Sequence, residues 1–273
     1  MDITYYPGCS LGSSARDYNE SIKAICTTLD INLHEPDDWT CCGATSAHSL
    51  DDESAISLPA LNLTAAERSE NDMMVPCPLC YNRLKRAQET IQSNIVIYDM
   101  ASLLGQNEWL EKIRSRLKIT LGALKAVCYY GCMANRPPKV TGSVDYENPC
   151  DMDNIAKVLG VDIVPWSYKT DCCGASFSLS RRDIVYTLVK KLYDRALEAG
   201  AECIIVSCQM CQANLDLYQE EISRHFGESY DIPIFYFTEL IGLSFGLKES
   251  STWLKRHVVN PFPFLEKRDL LKP

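Results

Sequence analysis

The chain has 273 residues and a net charge of −9, from 27 basic and 36 acidic side chains. That balance, with no basic tail or arginine-rich tract, argues against nucleic acid as a partner, while a hydrophobic fraction of 46% can build a core without covalent staples. No apolar run approaches the roughly 18 residues that span a bilayer, and Met1-Asp2-Ile3-Thr4 does not read as an export signal. Fourteen cysteines in such a chain are expected in the reducing cytoplasm, kept as thiols for metal or redox work, with membrane contact only through a partner.

Residues 2–6 read as a strand ending at Pro7-Gly8-Cys9, followed by a helix capped near Ser14 or Asp17 with Ile22, Ile25 and Leu29 on one face. A strand at 31–34 leads through a polar loop to Cys41-Cys42-Gly43. A helix within 52–70 must start, kink or break at Pro59. Met73-Met74-Val75 is a short buried strand that delivers Cys77-Pro78-Leu79-Cys80 onto a helix reaching about Gln92. A strand at 94–98 and a short helix through Leu103-Leu104-Gly105 follow. After the amphipathic stretch 108–117 the pattern restarts. It gives strand 126–130 before Gly131-Cys132, a Pro- and Gly-rich loop over 133–148, helix 151–159, strand 161–164 and Cys172-Cys173-Gly174. Helix 184–199, strand 204–206, Cys208-Gln209-Met210-Cys211, helix 214–226 and strand 232–237 complete the echo.

The echo is a duplication. Cys172, Cys173, Cys208 and Cys211 each lie 131 residues beyond Cys41, Cys42, Cys77 and Cys80, and a Gly-Cys pair precedes each set, at Cys9 and Cys132. The expected organisation is two tandem pseudo-symmetric α/β domains with largely parallel sheets, over 1–107 and 126–247, joined by a connector at 108–125 and followed by a tail at 248–273. In such sheets ligands collect beyond the C-terminal strand ends, where the cysteines stand. Thr252-Trp253-Leu254 and Pro261-Phe262-Pro263-Phe264-Leu265 in the tail read either as a docking arm or as a segment lying on its own domain.

Cysteine thiolates are the soft ligands of zinc and of iron–sulfur clusters. Each half offers five: Cys9, Cys41, Cys42, Cys77 and Cys80, then Cys132, Cys172, Cys173, Cys208 and Cys211. Zinc and a cubane cluster each need four. A fifth thiolate, and adjacent cysteines that reach two irons more easily than they chelate one, favour an unusual multi-iron cluster. Zinc, thioredoxin-like Cys-x-x-Cys chemistry and disulfides remain the rival readings. Cys26, Cys128 and Cys203 read as packing residues, Cys150 as an exposed thiol, and His34, His48, His225 and His257 as structural.

The repeated Cys…Cys-Cys-Gly…Cys-x-x-Cys pattern resembles the cysteine-rich CCG domain, and its duplication over residues 1–246 resembles the B subunit of heterodisulfide reductase. The resemblance implies a noncubane [4Fe–4S] cluster in each half, held by that half's five cysteines. It implies a disulfide substrate, such as the coenzyme M–coenzyme B heterodisulfide, cleaved between facing clusters. It also implies two partners from that complex, its iron–sulfur C subunit and its flavin-carrying A subunit. Relatives with paired domains of this kind include electron-transfer subunits of lactate, glycolate and succinate oxidation, an alternative in which this chain performs no chemistry of its own. No ferredoxin cysteine run and no Gly-x-Gly-x-x-Gly fingerprint is present, so electrons are expected from another protein of the complex. Arg181, Arg182, Lys190 and Lys191 are either an attractor for an anionic disulfide or a solvated helix face.

Overall fold

The computed structural model describes residues 1–271. Strands and helices alternate to build two four-stranded parallel sheets. In the first, β1 (Asp2–Tyr5), β2 (Asn32–His34), β3 (Met73–Val75) and β4 (Ile97–Asp99) lie in the order β2-β1-β3-β4. In the second, β5 (Lys125–Tyr129), β6 (Asp162–Ile163), β7 (Cys203–Val206) and β8 (Ile234–Tyr236) lie in the order β6-β5-β7-β8. The same order arises twice because the same sequence pattern is written twice.

Central strands of a parallel sheet are covered on both faces and must be apolar throughout. Met73-Met74-Val75 and Cys203-Ile204-Ile205-Val206 meet that demand, and every one of their residues is buried. β3 pairs with β1 through Thr4–Met73 and Tyr5–Met74, and β7 pairs with β5 from Ala126–Cys203 to Tyr129–Val206. Strand order reverses between these two central neighbours, which opens a crevice at their C-terminal ends. Cys9 follows β1 and Cys77 follows β3; Cys132 follows β5 and Cys208 follows β7. Each half therefore sends its cysteines to the switch point of its own sheet.

Several helices differ from expectation. Helix Arg16–Thr28 starts without a side-chain cap, so neither Ser14 nor Asp17 performs that role. Helix Asp52–Glu67 runs through Pro59 and is capped by Asp51, which accepts from the Ser54 N–H at 2.6 Å. One-turn helices at Gly8–Leu11 and Ala47–Leu50 were not expected, being too short to show a period. The helix expected over 214–226 is two, Gln209–Leu217 and Gln219–Phe226, and the first begins inside the Cys-x-x-Cys. The expected 232–237 strand ends at Tyr236, where helix Phe237–Ser244 takes over.

The halves share a continuous apolar core. Helix Arg16–Thr28 of the first half packs on helix Phe237–Ser244 of the second. There the rings of Tyr18 and Tyr236 stack at 4.2 Å and the Ser21 and Thr238 hydroxyls meet at 2.7 Å. Tyr18 also donates to the Ser207 carbonyl at 3.0 Å, one residue before Cys208. On the other side Asn82 donates to the carbonyls of Met133 and Arg136 at 3.1 and 2.9 Å.

The tail is folded onto the chain and is not an extended arm. It forms helices Ser250–Leu254 and Phe262–Glu266 and buries Trp253, Leu254 and Leu265. Burying apolar side chains of this size contributes roughly 1.5–3 kcal/mol each. Lys272 and Pro273, the last two residues of the expected tail, lie outside the described residues. Among the described residues, no helix is long and apolar enough to cross a membrane.

Candidate metal centres

The five cysteines of the first half line one small pocket of about 30 Å³. Cys9 is carried by the one-turn helix after β1, and Cys41 and Cys42 by the loop after β2. Cys77 caps helix Pro78–Ile91, its Sγ accepting from the Cys80 N–H at 3.4 Å. The Cys42 and Cys80 sulfurs stand 3.1 Å apart, and the Gly43 N–H reaches Cys41 Sγ at 3.5 Å. Gln209 and Met210, from the opposite half, close the pocket, and the Gln209 amide donates to Cys77 Sγ at 2.8 Å.

The second quintet lines a larger cavity of about 440 Å³. The Cys173 and Cys211 sulfurs are 3.6 Å apart, and the Gly174 N–H reaches Cys172 Sγ at 3.3 Å. Ala44, Thr45, His48, Pro78 and Leu79 of the first half complete the wall. The spacer residues of each Cys-x-x-Cys thus close the opposite half's site, and Ala44, Thr45, Leu79 and Met210 line both cavities. One brace recurs: Tyr6 donates to the Thr40 carbonyl at 2.6 Å and Tyr129 to that of Asp171 at 2.7 Å, each fixing the residue before the vicinal cysteines.

Gly131 has φ of +67°, and a Cβ there would lie 2.8 Å from Cys211 Sγ; Gly8, its counterpart, would bring a Cβ to 2.9 Å from Cys80 Sγ. Only glycine lets the backbone pass this close to a sulfur. Gly131→Ala is expected to push Cys211 out of position and to cost about 1–3 kcal/mol of strain. Iron content and thermal midpoint, measured together, check this; wild-type values for both would refute the packing argument.

Hydrogen bonding divides the thiols. Cys77 is drawn down to about 7 by the Cys80 thiol, against burial and with help from the Cys80 N–H and the Gln209 amide. Cys172 falls to about 6, through Cys132 first and then, against burial, the Gly174 and Ala175 N–H groups. Cys42 and Cys173 are held below the ordinary range by Cys80 and Cys211, whose own thiols are pushed well up. A set of five thiols, one more than tetrahedral zinc takes, approached closely by backbone at glycine, fits iron–sulfur chemistry better than zinc.

Other candidates fall elsewhere. Cys26, Cys128 and Cys203 are fully buried, and burial pushes all three thiols up. Cys132, and not Cys128, lines the second cavity. Cys150 is exposed, its thiol toward the Asn148 carbonyl at 3.3 Å. Arg181, Arg182, Lys190 and Lys191 pair with Asp183, Glu221, Asp194 and Asp171 and line neither cavity. They form a solvated face. Two features escaped the sequence reading. His48 lines the second cavity, and His257 joins Asp17 and Glu239 in a buried cluster, with Nε2 2.9 Å from Glu239 and 3.9 Å from Asp17. Burial opposes a charge on His257, but Glu239, Asp216 and Asp17 raise it to about 9. The ring thus favours its charged form between the two buried carboxylates.

The family model described as "Cysteine-rich domain" (CCG) matches residues 3–85 and again 126–216. The 8-methylmenaquinol:fumarate reductase membrane anchor subunit of Wolinella succinogenes is 27% identical over 95% of this chain and 97% of its own length. The B subunit of the ferredoxin:CoB-CoM heterodisulfide reductase of Methanosarcina mazei is 23% identical over 97% and 96%. A crystal structure of a hypothetical protein from Helicobacter pylori superposes with a TM-score of 0.76 at 10% identity, covering 95% of this chain and 52% of that one, a likeness of fold alone. The two matches to one family model take in over half of the chain and all ten clustered cysteines, so the chain belongs to the cysteine-rich CCG domain family as an iron–sulfur-type subunit.

Proposed function

We propose that this chain is the two-centre iron–sulfur subunit of a larger cytoplasmic oxidoreductase and that it reductively cleaves a small disulfide between its cysteine sites. Cys9, Cys41, Cys42, Cys77 and Cys80 would hold one noncubane [4Fe–4S] cluster and Cys132, Cys172, Cys173, Cys208 and Cys211 the other. The observation that carries the reading is the common wall: Ala44, Thr45, Leu79 and Met210 line both cavities, so a molecule seated in the larger one lies beside both sulfur sets. When bound, such clusters supply electrons singly and iron sites for sulfur ligands. Cleavage of R–S–S–R′ takes two electrons and two protons and yields two thiols. The electrons come from two partners, an iron–sulfur protein and a flavoprotein resembling the C and A subunits of heterodisulfide reductase, because this chain carries no entry relay. Leu179 and Met210 give the cavity an apolar lining for the carbon chains of a disulfide, and His48 at its wall is placed to deliver a proton to a departing thiolate.

A second reading, electron relay to a quinone-linked reductase with no chemistry here, is favoured by the 27% relative, named as a membrane anchor subunit of a menaquinol:fumarate reductase. One experiment separates the two. Anaerobically purified, oxidised protein is mixed with a panel of disulfides and with a menaquinol analogue, and paramagnetic signals are followed. A new signal with a disulfide is expected; reduction by the menaquinol with no response to any disulfide would select the relay.

A further inference from the structure

The two sulfur sets are built alike but charged differently, and the differences fall at equivalent positions of the repeat. The first spacer residue of the second Cys-x-x-Cys is Gln209, which reaches across the interface and donates to Cys77 Sγ at 2.8 Å. Its counterpart in the first is Pro78, which lines the second cavity and has no amide to offer. Gln209 Oε1 is buried without a partner. Turning the amide over would set that oxygen against a sulfur, so the donor end is held on Cys77. We infer that Gln209 is a positioning residue that separates the two centres in reduction potential and makes the first the easier to reduce. The inference rests on the proposed function, because it presumes a cluster in each site.

The physical reason is charge. Reducing a cluster adds an electron to a group already bearing anionic thiolates, and a hydrogen bond to a ligand sulfur stabilises the extra charge. Two further differences act in the same sense. The first half carries the cation Arg83 where the second carries the neutral Asn214, whose amide donates to the Cys173 carbonyl at 3.0 Å. Beside the vicinal pair the first half has the neutral Thr40 and the second has the acid Asp171, partly offset by Lys191 at 2.8 Å. Backbone N–H groups reach sulfurs in both sites, but the side-chain amide that crosses the interface ends on the enclosed first one. The first electron to arrive is expected to rest in the closed site, with the second admitted beside the cavity that holds the ligand.

The test is an equilibrium redox titration of the full chain followed by electron paramagnetic resonance, with iron and acid-labile sulfide assayed on the same samples. The first-site signal is identified as the one that Cys42→Ala abolishes. In the wild type it should have the higher midpoint. In Gln209→Met, which keeps the length and removes the donor, that midpoint alone should fall. In Pro78→Gln, which offers a donor to the other site, the second midpoint should rise. Equal midpoints in the wild type, or equal shifts of both signals in Gln209→Met, would overturn the inference. So would no shift in either variant. Loss of first-site iron in Gln209→Met would also overturn it, assigning the residue to assembly. A wild type free of iron and sulfide would sink the proposed function itself, a result distinct from all of these.

Discussion

Cys42→Ala and Cys173→Ala are each expected to lose about half of the iron and sulfide, the share of one cluster, while the rest remains. The two residues sit at equivalent places, each buried and in contact with the second cysteine of its own Cys-x-x-Cys, at 3.1 and 3.6 Å. Removing either thiol takes away a soft donor for which no carboxylate or imidazole in the set can substitute. The opposite half keeps all five of its sulfurs on its own strand ends, so its centre should persist. Replacing Cys26 or Cys203, buried but outside both pockets, should leave the iron unchanged. Metal analysis with the visible absorption of the clusters reads the outcome. Loss of all iron in either single variant would show that the two sites do not load independently.

His257→Leu is expected to destabilise the fold by about 3–5 kcal/mol, the cost of removing one partner from a buried ion pair. The imidazole comes from the folded tail and is wholly enclosed, with Glu239 at 2.9 Å and Asp17 at 3.9 Å. Without it, Glu239 and Asp17 face one another uncompensated. Asp17 already shows that pressure, since burial and then the Glu239 charge raise its carboxyl to about 6. The pH dependence carries a sign. Because His257 is raised from 6.5 to about 9 in the folded state, its contribution is complete below pH 6.5 and is lost as pH rises through 9. Denaturant unfolding at several pH values should show the wild type weakening over that window and His257→Leu losing the slope. A wild type equally stable at pH 7 and pH 10 would refute the ion-pair account.

The fold and the sulfur sets were legible because they depend on patterns a sequence displays directly. Met73-Met74-Val75 and the run from Cys203 to Val206 announce central parallel strands, and a repeat offset of 131 residues fixes which cysteines correspond. What escaped depends on contacts between distant segments. Nothing near Gln209 in sequence signals that its amide ends on Cys77, and nothing near His257 points to Asp17 and Glu239. His48 escaped because it lies on a one-turn helix with no periodicity to read. The tail was left open between two readings, and the burial of Trp253 and Leu265 selects the one that lays it on the fold; only its two short helices, hidden by prolines, went unread.

Gln209 and Met210 roof the first sulfur set, while Pro78 and Leu79 roof the second. Neither copy of the ancestral unit owns a finished chamber. Covalent linkage keeps the two roofs at one-to-one stoichiometry, and a substitution in either spacer is inherited by its neighbour's environment. The copies are consequently bound to specialise as a couple, which is how an originally symmetric pair could acquire one sealed chamber and one open one.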